Sequence, residues 1–162
     1  RQVEHRGQPL RPAEHRQGER VVVGGQAGGD LPLRQTRQQC RHLRVPAGQT
    51  LIGGFSQGAM LACDTVLTSD RPVAGLAILS GMLIRRDVWR AGAAARRGLP
   101  VFQSHGTNDP ILPFAVAELL ATTLASGGLE VDRVTFPGGH GIPPAVLDRL
   151  GAFVGRCLGA SA

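Results

Sequence analysis

The pattern of apolar and polar positions changes near residue 46 of this 162-residue chain. Residues 1–45 are dominated by Arg, Gln, Gly, His and Pro, and their few apolar residues show no periodicity. This composition favours loose structure, and within it only the run VVVGG at 21–25 is typical of a short strand that ends in a turn. We therefore divide the chain into an atypical N-terminal segment, 1–46, and a folded half, 47–162.

In the folded half, short apolar runs alternate with stretches of helical spacing. The runs that predict strands are TLIGGF (50–55), VAGLAILSG (73–81), PVFQSHG (100–106) and LEVDRVTF (129–136). Helices are predicted at 58–68, at 113–125 and from Pro143 onwards, whereas the segment between the second and third strands is predicted to be a loop. Apolar strands that alternate with helices favour an α/β fold with a mostly parallel sheet and helices on both faces.

Three chemically reactive residue types follow the ends of these strands. Ser56, within the Gly-x-Ser-x-Gly pattern GFSQG, follows the first strand, Asp109 follows the third, and His140 follows the fourth. In parallel sheets of this kind, ligands bind beyond the carboxyl ends of the strands. The order Ser, Asp, His along the chain is also that of an α/β-hydrolase triad. We therefore predict that the three residues meet at one edge of the sheet.

These residue types fit nucleophilic catalysis. A serine hydroxyl is a poor nucleophile until a base removes its proton, and His140 can do this near neutral pH. Asp109 would fix the tautomer of that imidazole and stabilise the imidazolium that forms. The backbone amide of Gln57, at the start of a predicted helix, would point at the developing oxyanion.

Each of the three residues also has a simpler role open to it. Ser56 could cap a helix or sit in an ordinary turn, and His140 could be a turn residue between glycines. Asp109 could cap the turn before Pro110, because Asn-Asp-Pro is favourable turn chemistry. Asp64 is rejected as the acid because it lies within a predicted helix.

Three further residues invite separate interpretations. His105 ends a strand at the same edge, and we expect it to pack there or to form a backbone hydrogen bond. Trp89 either covers the pocket as part of a lid or packs on the surface, and the sequence leaves both open. Cys63 lies at helical spacing among apolar residues, so it is expected in the core.

Four segments resemble one known family. GGFSQGAMLA, LAILSG, PVFQSHGTNDPILPF and FPGGHGIPP are together similar to the phospholipase/carboxylesterase family of α/β-hydrolases, which includes the acyl-protein thioesterases. The resemblance extends over about 50–158 and implies the C-terminal part of an α/β-hydrolase fold. It implies hydrolysis of carboxylic esters, lysophospholipids or thioesters without a metal or organic cofactor. By the same resemblance Ser56, Asp109 and His140 match the triad, and Gln57 matches one oxyanion donor.

The resemblance also identifies a candidate substrate pocket. SGMLI (80–84) matches a segment that borders the acyl pocket in that family. The pocket residues that we propose are small and aliphatic: Met82, Leu83, Ile111 and Leu112. We therefore expect a serine carboxylesterase that hydrolyses short-to-medium acyl esters, a small-molecule substrate, through an acyl-enzyme. The alternative is a catalytically impaired, truncated hydrolase that acts as a binding or interaction protein.

The N-terminal segment departs from that family. Its members have several more strands there and an HGxG-like loop that supplies the second oxyanion donor, and nothing in 1–45 matches this loop. We expect that residues 1–46 do no catalytic work and that the chain is weakly active, because removing one oxyanion donor costs about 10²–10³ in rate. The strand before Ser56 would have an unpaired edge, which favours a homodimer or aggregation unless VVVGG covers it.

Charge, apolar run length and cysteine content bear on three further properties: nucleic-acid binding, membrane insertion and the cellular compartment. The net charge is +6, but nine Arg stand against four acidic residues in 1–45 and nine against eight in 46–162. The basic segment has no aromatic residue for base stacking, so we expect no nucleic-acid partner. No apolar run approaches the roughly 18–20 residues of a membrane span. The three widely spaced cysteines (Cys40, Cys63 and Cys157) indicate reduced thiols and a cytoplasmic protein.

Overall fold

A parallel five-stranded sheet organises the computed structural model, which describes residues 20–24 and 47–159. The strands are β1 (Arg20–Gly24), β2 (Thr50–Phe55), β3 (Gly75–Leu79), β4 (Pro100–Gly106) and β5 (Glu130–Phe136). Each strand pairs in parallel with the next one along the chain, so the spatial order is the sequence order. All carboxyl ends consequently lie at one edge of the sheet, as the sequence predicted.

Helices cover both faces of this sheet. They are α1 (Gln57–Thr68), α2 (Arg86–Ala95), α3 (Phe114–Ser126) and α4 (Pro144–Leu158), and a short 3₁₀ turn, Ala47–Gln49, precedes β2. Consecutive strand residues point to opposite faces. Ile52 accordingly packs in the core shared with α1, α2 and α3, whereas Leu51 packs in the core shared with α4. The predicted α/β architecture with helices on both faces is confirmed.

Helix α2 is the element that the sequence analysis missed, because the segment between β3 and β4 was predicted to be a loop. Only two of its residues are buried, Trp89 and Ala93, yet the segment contains four alanines and alternates apolar and charged residues at helical spacing. The spacing of four between Trp89 and Ala93 places them on one helix face, which packs against α1. At Gly92 a side chain would collide with the Leu67 carbonyl, so glycine permits this close approach. The loop prediction is therefore wrong although the local sequence favours a helix, and packing against α1 adds to that preference.

Strand β1 confirms the strand predicted in VVVGG, and it pairs with the strand that precedes Ser56. Val22 is paired with Ile52, and Gly24 with Gly54, in parallel register. The strand before Ser56 therefore lies between β1 and β3, so VVVGG covers the edge that was expected to be unpaired without it. A homodimer remains a prediction.

The expectations about the N-terminal segment, membrane spans and cysteines can be tested only on the residues that the structure describes. Residues 1–19 and 25–46, which include Cys40, lie outside them, as does most of the segment expected to be non-catalytic. Within 20–24 and 47–159, no helix is long and apolar enough to cross a membrane. Cys63 and Cys157 are free thiols, and Cys63 is buried as predicted. Its burial raises the pKa of the Cys63 thiol far above the ordinary value, so it remains protonated.

Candidate active site

Ser56 lies on a tight turn between β2 and α1. Its backbone has φ 56° and ψ −121°, a left-handed conformation that is unfavourable for a residue with a side chain. The Ser56 amide donates to the Leu79 carbonyl at 2.8 Å, which ties the turn to β3. A side chain at Gly54 would collide with the backbone of Gly58, so the first glycine of the pattern is a steric requirement of the turn.

His140 is carried by the loop after β5, and backbone packing holds this loop against the end of β4. A side chain at Gly106 would collide with the carbonyls of Gly138 and Gly139. The Asn108 amide donates to the Gly138 carbonyl at 2.9 Å. The absence of a side chain at Gly106 thus lets the two loops that follow β4 and β5 come together.

Asp109 is buried at the start of the loop after β4, and both of its carboxylate oxygens accept hydrogen bonds. Oδ1 accepts from the backbone amides of Ile111 and Leu112, each at 2.9 Å, and Oδ2 lies 2.7 Å from Nδ1 of His140. Burial alone would raise the pKa of Asp109, but the hydrogen bonds from Leu112, His140 and Ile111 outweigh it and lower the pKa. Asp109 is therefore a carboxylate at neutral pH.

His140 connects the carboxylate to the serine. Because a carboxylate can only accept, Nδ1 of His140 carries the proton, and Nε2 is left as an acceptor. Nε2 lies 2.9 Å from Oγ of Ser56, so the hydroxyl donates to it. The Phe55 ring packs against the imidazole, with 4.8 Å between the ring centroids. The structure thus brings together all three residues that the sequence analysis selected.

The amide of Gln57 is the first of helix α1. The first amides of a helix have no acceptor within it, and they carry the positive end of the helix dipole. Within the described part of the chain, no acceptor contacts the Gln57 amide, while its side chain is exposed. This amide is available to a negatively charged oxygen beside Ser56.

The four predicted pocket residues lie in different environments. Ile111 is exposed, with 63% of its surface accessible, and Met82 and Leu112 are partly buried. Leu83, in contrast, is buried and packs in the core shared by α1, α2 and α3. Leu83 is therefore the most buried of the four, and all four remain predicted contacts of the substrate.

Trp89 has neither of the roles that the sequence left open. Its side chain is fully buried, so it is not a lid and does not pack on the surface. Nε1 of Trp89 donates to Oδ1 of Asp64 at 3.0 Å, and the Arg85 guanidinium contacts the same oxygen at 2.7 Å. Asp64 lies on α1 as predicted and has no contact with His140. The spacing of Trp89 and Ala93 was the available signal for this buried face.

Ser80 begins SGMLI (80–84), the segment that resembles the border of an acyl pocket, although Ser80 itself was not selected as a site residue. It follows β3 with φ 47°, is fully buried, and its hydroxyl lies 3.4 Å from the Gly141 carbonyl. It thereby contacts the loop that carries His140 from a third strand. The predicted strand VAGLAILSG (73–81) already included this residue, but nothing in the sequence indicated its contact with the loop that carries His140.

The fold and the geometry of Ser56, His140 and Asp109 define an α/β-hydrolase. A sequence profile of the phospholipase/carboxylesterase family matches residues 32–158, and the chain belongs to this family. The match begins upstream of the boundary at residue 46, so part of the segment regarded as atypical shares the family likeness.

Two relatives by sequence agree with this family assignment. The chain is 37% identical over 119 residues to acyl-protein thioesterase 1 of Eremothecium gossypii and 32% identical over 123 residues to that of Mycosarcoma maydis. Each alignment covers 72% of this chain and 51% of the relative, so the chain spans about half the length of these curated relatives.

Two solved structures have similar folds. Esterase PE8 is 28% identical and covers 76% of this chain and 56% of its own, with a TM-score of 0.65. A variant of SOBER1 from Arabidopsis thaliana is 25% identical, covers 77% of this chain and 60% of its own, and has a TM-score of 0.66.

Proposed function

We propose that this chain is a serine hydrolase that cleaves carboxylic esters and thioesters through an acyl-enzyme. One observation carries the proposal: Asp109, His140 and Ser56 form a continuous line of hydrogen bonds of 2.7 and 2.9 Å. The line ends at a hydroxyl held on a strained turn at the carboxyl edge of the sheet. A helix cap or an ordinary turn does not require this alignment.

In the first half-reaction, Oγ of Ser56 attacks the acyl carbon while its proton passes to Nε2 of His140. The carbonyl oxygen becomes an oxyanion, which accepts a hydrogen bond from the Gln57 amide. When the tetrahedral intermediate collapses, the bond to the alcohol or thiol breaks, and His140 returns the proton to that leaving group. The acyl group remains as an ester on Ser56.

In the second half-reaction, water replaces the leaving group. His140 takes a proton from the water, whose oxygen attacks the acyl-enzyme, and Oγ of Ser56 leaves and recovers its proton. In both halves the Asp109 carboxylate holds the imidazole with Nδ1 protonated and stabilises the imidazolium that forms. The lowered pKa of Asp109 keeps this carboxylate charged throughout.

The proposed substrates are short-to-medium acyl esters and thioesters. The aliphatic candidates for substrate contact are Met82, Leu83, Ile111 and Leu112, and two of the similar proteins are named as an acyl-protein thioesterase and an esterase. The backbone amide of Ile111 donates to Asp109, so Ile111 belongs to the turn that carries the acid, and its side chain is exposed. An acyl chain that contacts this side chain would remain partly in solvent, which favours modest chain lengths.

The proposal is tested with p-nitrophenyl acetate and butyrate and with an acyl thioester, on the wild-type chain and on Ser56→Ala. We expect hydrolysis and covalent fluorophosphonate labelling by the wild type, and loss of both in Ser56→Ala with an unchanged circular-dichroism spectrum. Equal hydrolysis by the variant would exclude Ser56 as nucleophile. Labelling without turnover would favour the impaired hydrolase, and faster hydrolysis of a long-chain triglyceride would contradict the substrate class.

A further inference from the structure

His105 is a buried, titratable residue beside the site that the proposed mechanism does not use. It is the last residue but one of β4, and only 2% of its side chain is exposed. Its Nε2 lies 2.9 Å from the Leu112 carbonyl oxygen and 3.4 Å from Oδ2 of Asp109. The ring thus stands between β4 and the turn that carries the acid.

The surroundings of the ring determine its tautomer. Because a carbonyl oxygen can only accept, Nε2 carries the hydrogen and donates to Leu112. The other nitrogen, Nδ1, is buried and has no partner among the described residues. The hydrogen bond to Leu112 therefore places a hydrogen on Nε2 of His105.

The backbone of Leu112 is consequently held by hydrogen bonds at both its amide and its carbonyl. Its amide donates to Oδ1 of Asp109, and its carbonyl accepts from His105. The turn 109–112 is thereby attached to a rigid central strand through a side chain rather than only through its own backbone. The 3.4 Å between Nε2 of His105 and Oδ2 of Asp109 is too long for a strong hydrogen bond, so the bond to Leu112 makes the attachment.

We propose that His105 is a positioning residue for the reaction, one that holds the turn 109–112 so that Oδ2 of Asp109 stays within 2.7 Å of Nδ1 of His140. This inference rests on the proposed function. His105 makes no contact with Ser56 or His140 and acts only through Asp109 and Leu112. Since a displacement of about 1 Å in a catalytic group can cost 10²-fold in rate, loss of this attachment should lower kcat by about 10- to 100-fold.

Three variants separate positioning from simple stability. His105→Met removes the donor and retains a side chain of similar length. His105→Gln places an amide N–H close to the position of Nε2, so it restores the donor. Val101→Ala is the matched control, because Val101 is equally buried in the same strand and belongs to the core rather than to the turn.

The first readout is steady-state hydrolysis of p-nitrophenyl butyrate, together with urea unfolding of each variant. We expect His105→Met to lower kcat with an unchanged KM, because His105 does not touch the substrate. His105→Gln should recover most of kcat, and Val101→Ala should lose stability with an unchanged kcat. Equal losses of kcat in His105→Met and Val101→Ala would overturn the proposal, as would an unchanged kcat in His105→Met.

The second readout does not depend on turnover. Proton NMR detects the hydrogen on Nδ1 of His140 as a low-field resonance, which His140→Gln identifies by removing it. We expect this resonance to persist in the wild type and in His105→Gln and to move upfield or broaden in His105→Met. If Ser56→Ala shows that the proposed function fails, this resonance still tests the positioning. An identical resonance in His105→Met would contradict the proposal.

Discussion

Asp64 on α1 and Asp109 after β4 are both buried aspartates, with 5% and 8% of their surfaces exposed. Asp64 faces the Arg85 guanidinium and the Trp89 indole, whereas Asp109 faces two backbone amides and the His140 imidazole. Arginine keeps its charge at all relevant pH values, and the indole N–H only donates. Neither partner of Asp64 can therefore accept and release a proton as an acid–base catalyst does. Histidine can do so near neutral pH.

The two carboxylates also differ in how they use their oxygens. Both donors to Asp64 contact the same oxygen, Oδ1. Asp109 uses Oδ1 for the turn and Oδ2 for His140, so one oxygen fixes the acid and the other fixes the base. Burial of a carboxylate therefore does not by itself indicate a catalytic role. The partners of each oxygen distinguish the candidate catalytic acid from the structural one.

The largest effect that we expect is the loss of kcat in Asp109→Asn. Asp109→Asn retains one oxygen, so it cannot serve both the turn and His140, and its NH₂ group favours the wrong tautomer of the imidazole. We expect kcat to fall by about 10⁴-fold, as the loss of the corresponding acid does in serine proteases, while the chain remains folded. Turnover of p-nitrophenyl butyrate and circular dichroism measure both. A wild-type kcat would exclude Asp109 as the orienting acid.

At Asp64 we expect a substitution to lower stability and to leave kcat unchanged. Asp64→Ala leaves the buried Trp89 N–H without an acceptor, which should lower the free energy of unfolding by about 1–3 kcal/mol. Asp64→Asn is the control, because its single oxygen can still accept from both donors, and it should recover most of this loss. Urea unfolding measures stability, and kcat should stay near the wild-type value in both variants. A large loss of kcat in Asp64→Asn would make the two aspartates equivalent.

Acid should affect stability through Asp109. Its pKa is lowered below the ordinary value of 3.8 by the hydrogen bonds from Leu112, His140 and Ile111, which outweigh the effect of burial. The carboxylate therefore contributes stability that is fully present above this ordinary value and is lost as the pH falls through the lowered pKa. Urea unfolding from about pH 6 to about pH 2 should show a smaller acid-dependent loss in Asp109→Asn than in the wild type. Parallel curves would contradict this linkage.

The smallest effect is expected at Arg85, the charged partner of Asp64. Its side chain is 48% exposed, so solvent screens the ion pair. Arg85→Gln should lower the free energy of unfolding by no more than about 1 kcal/mol, and kcat should not change. The same urea series measures this, with Arg90→Gln as a control because the Arg90 ion pair is more exposed and longer, at 3.8 Å. A loss as large as that of Asp64→Ala would show that the charge matters more than the indole hydrogen bond.

The local sequence determined the elements that have a strong pattern of their own. The apolar runs at 50–55 and 100–106 became β2 and β4, and Pro113 and Gly127 mark the limits of α3. The parallel order then placed Ser56, Asp109 and His140 at one edge, because the carboxyl ends of parallel strands coincide. Short-range propensity and strand direction were enough to predict which residues meet.

Tertiary structure alone decided the features that depend on distant partners. The burial of Trp89 could not be predicted before its acceptor on α1 was known, whereas α2 itself has an alanine-rich, amphipathic local pattern that the loop prediction did not take into account. That acceptor, Asp64, lies 25 residues away in the chain, and the partners Asp109 and His140 are 31 residues apart. A hydrogen bond between such distant residues depends on how the strands and helices pack, and neither composition nor periodicity specifies that packing.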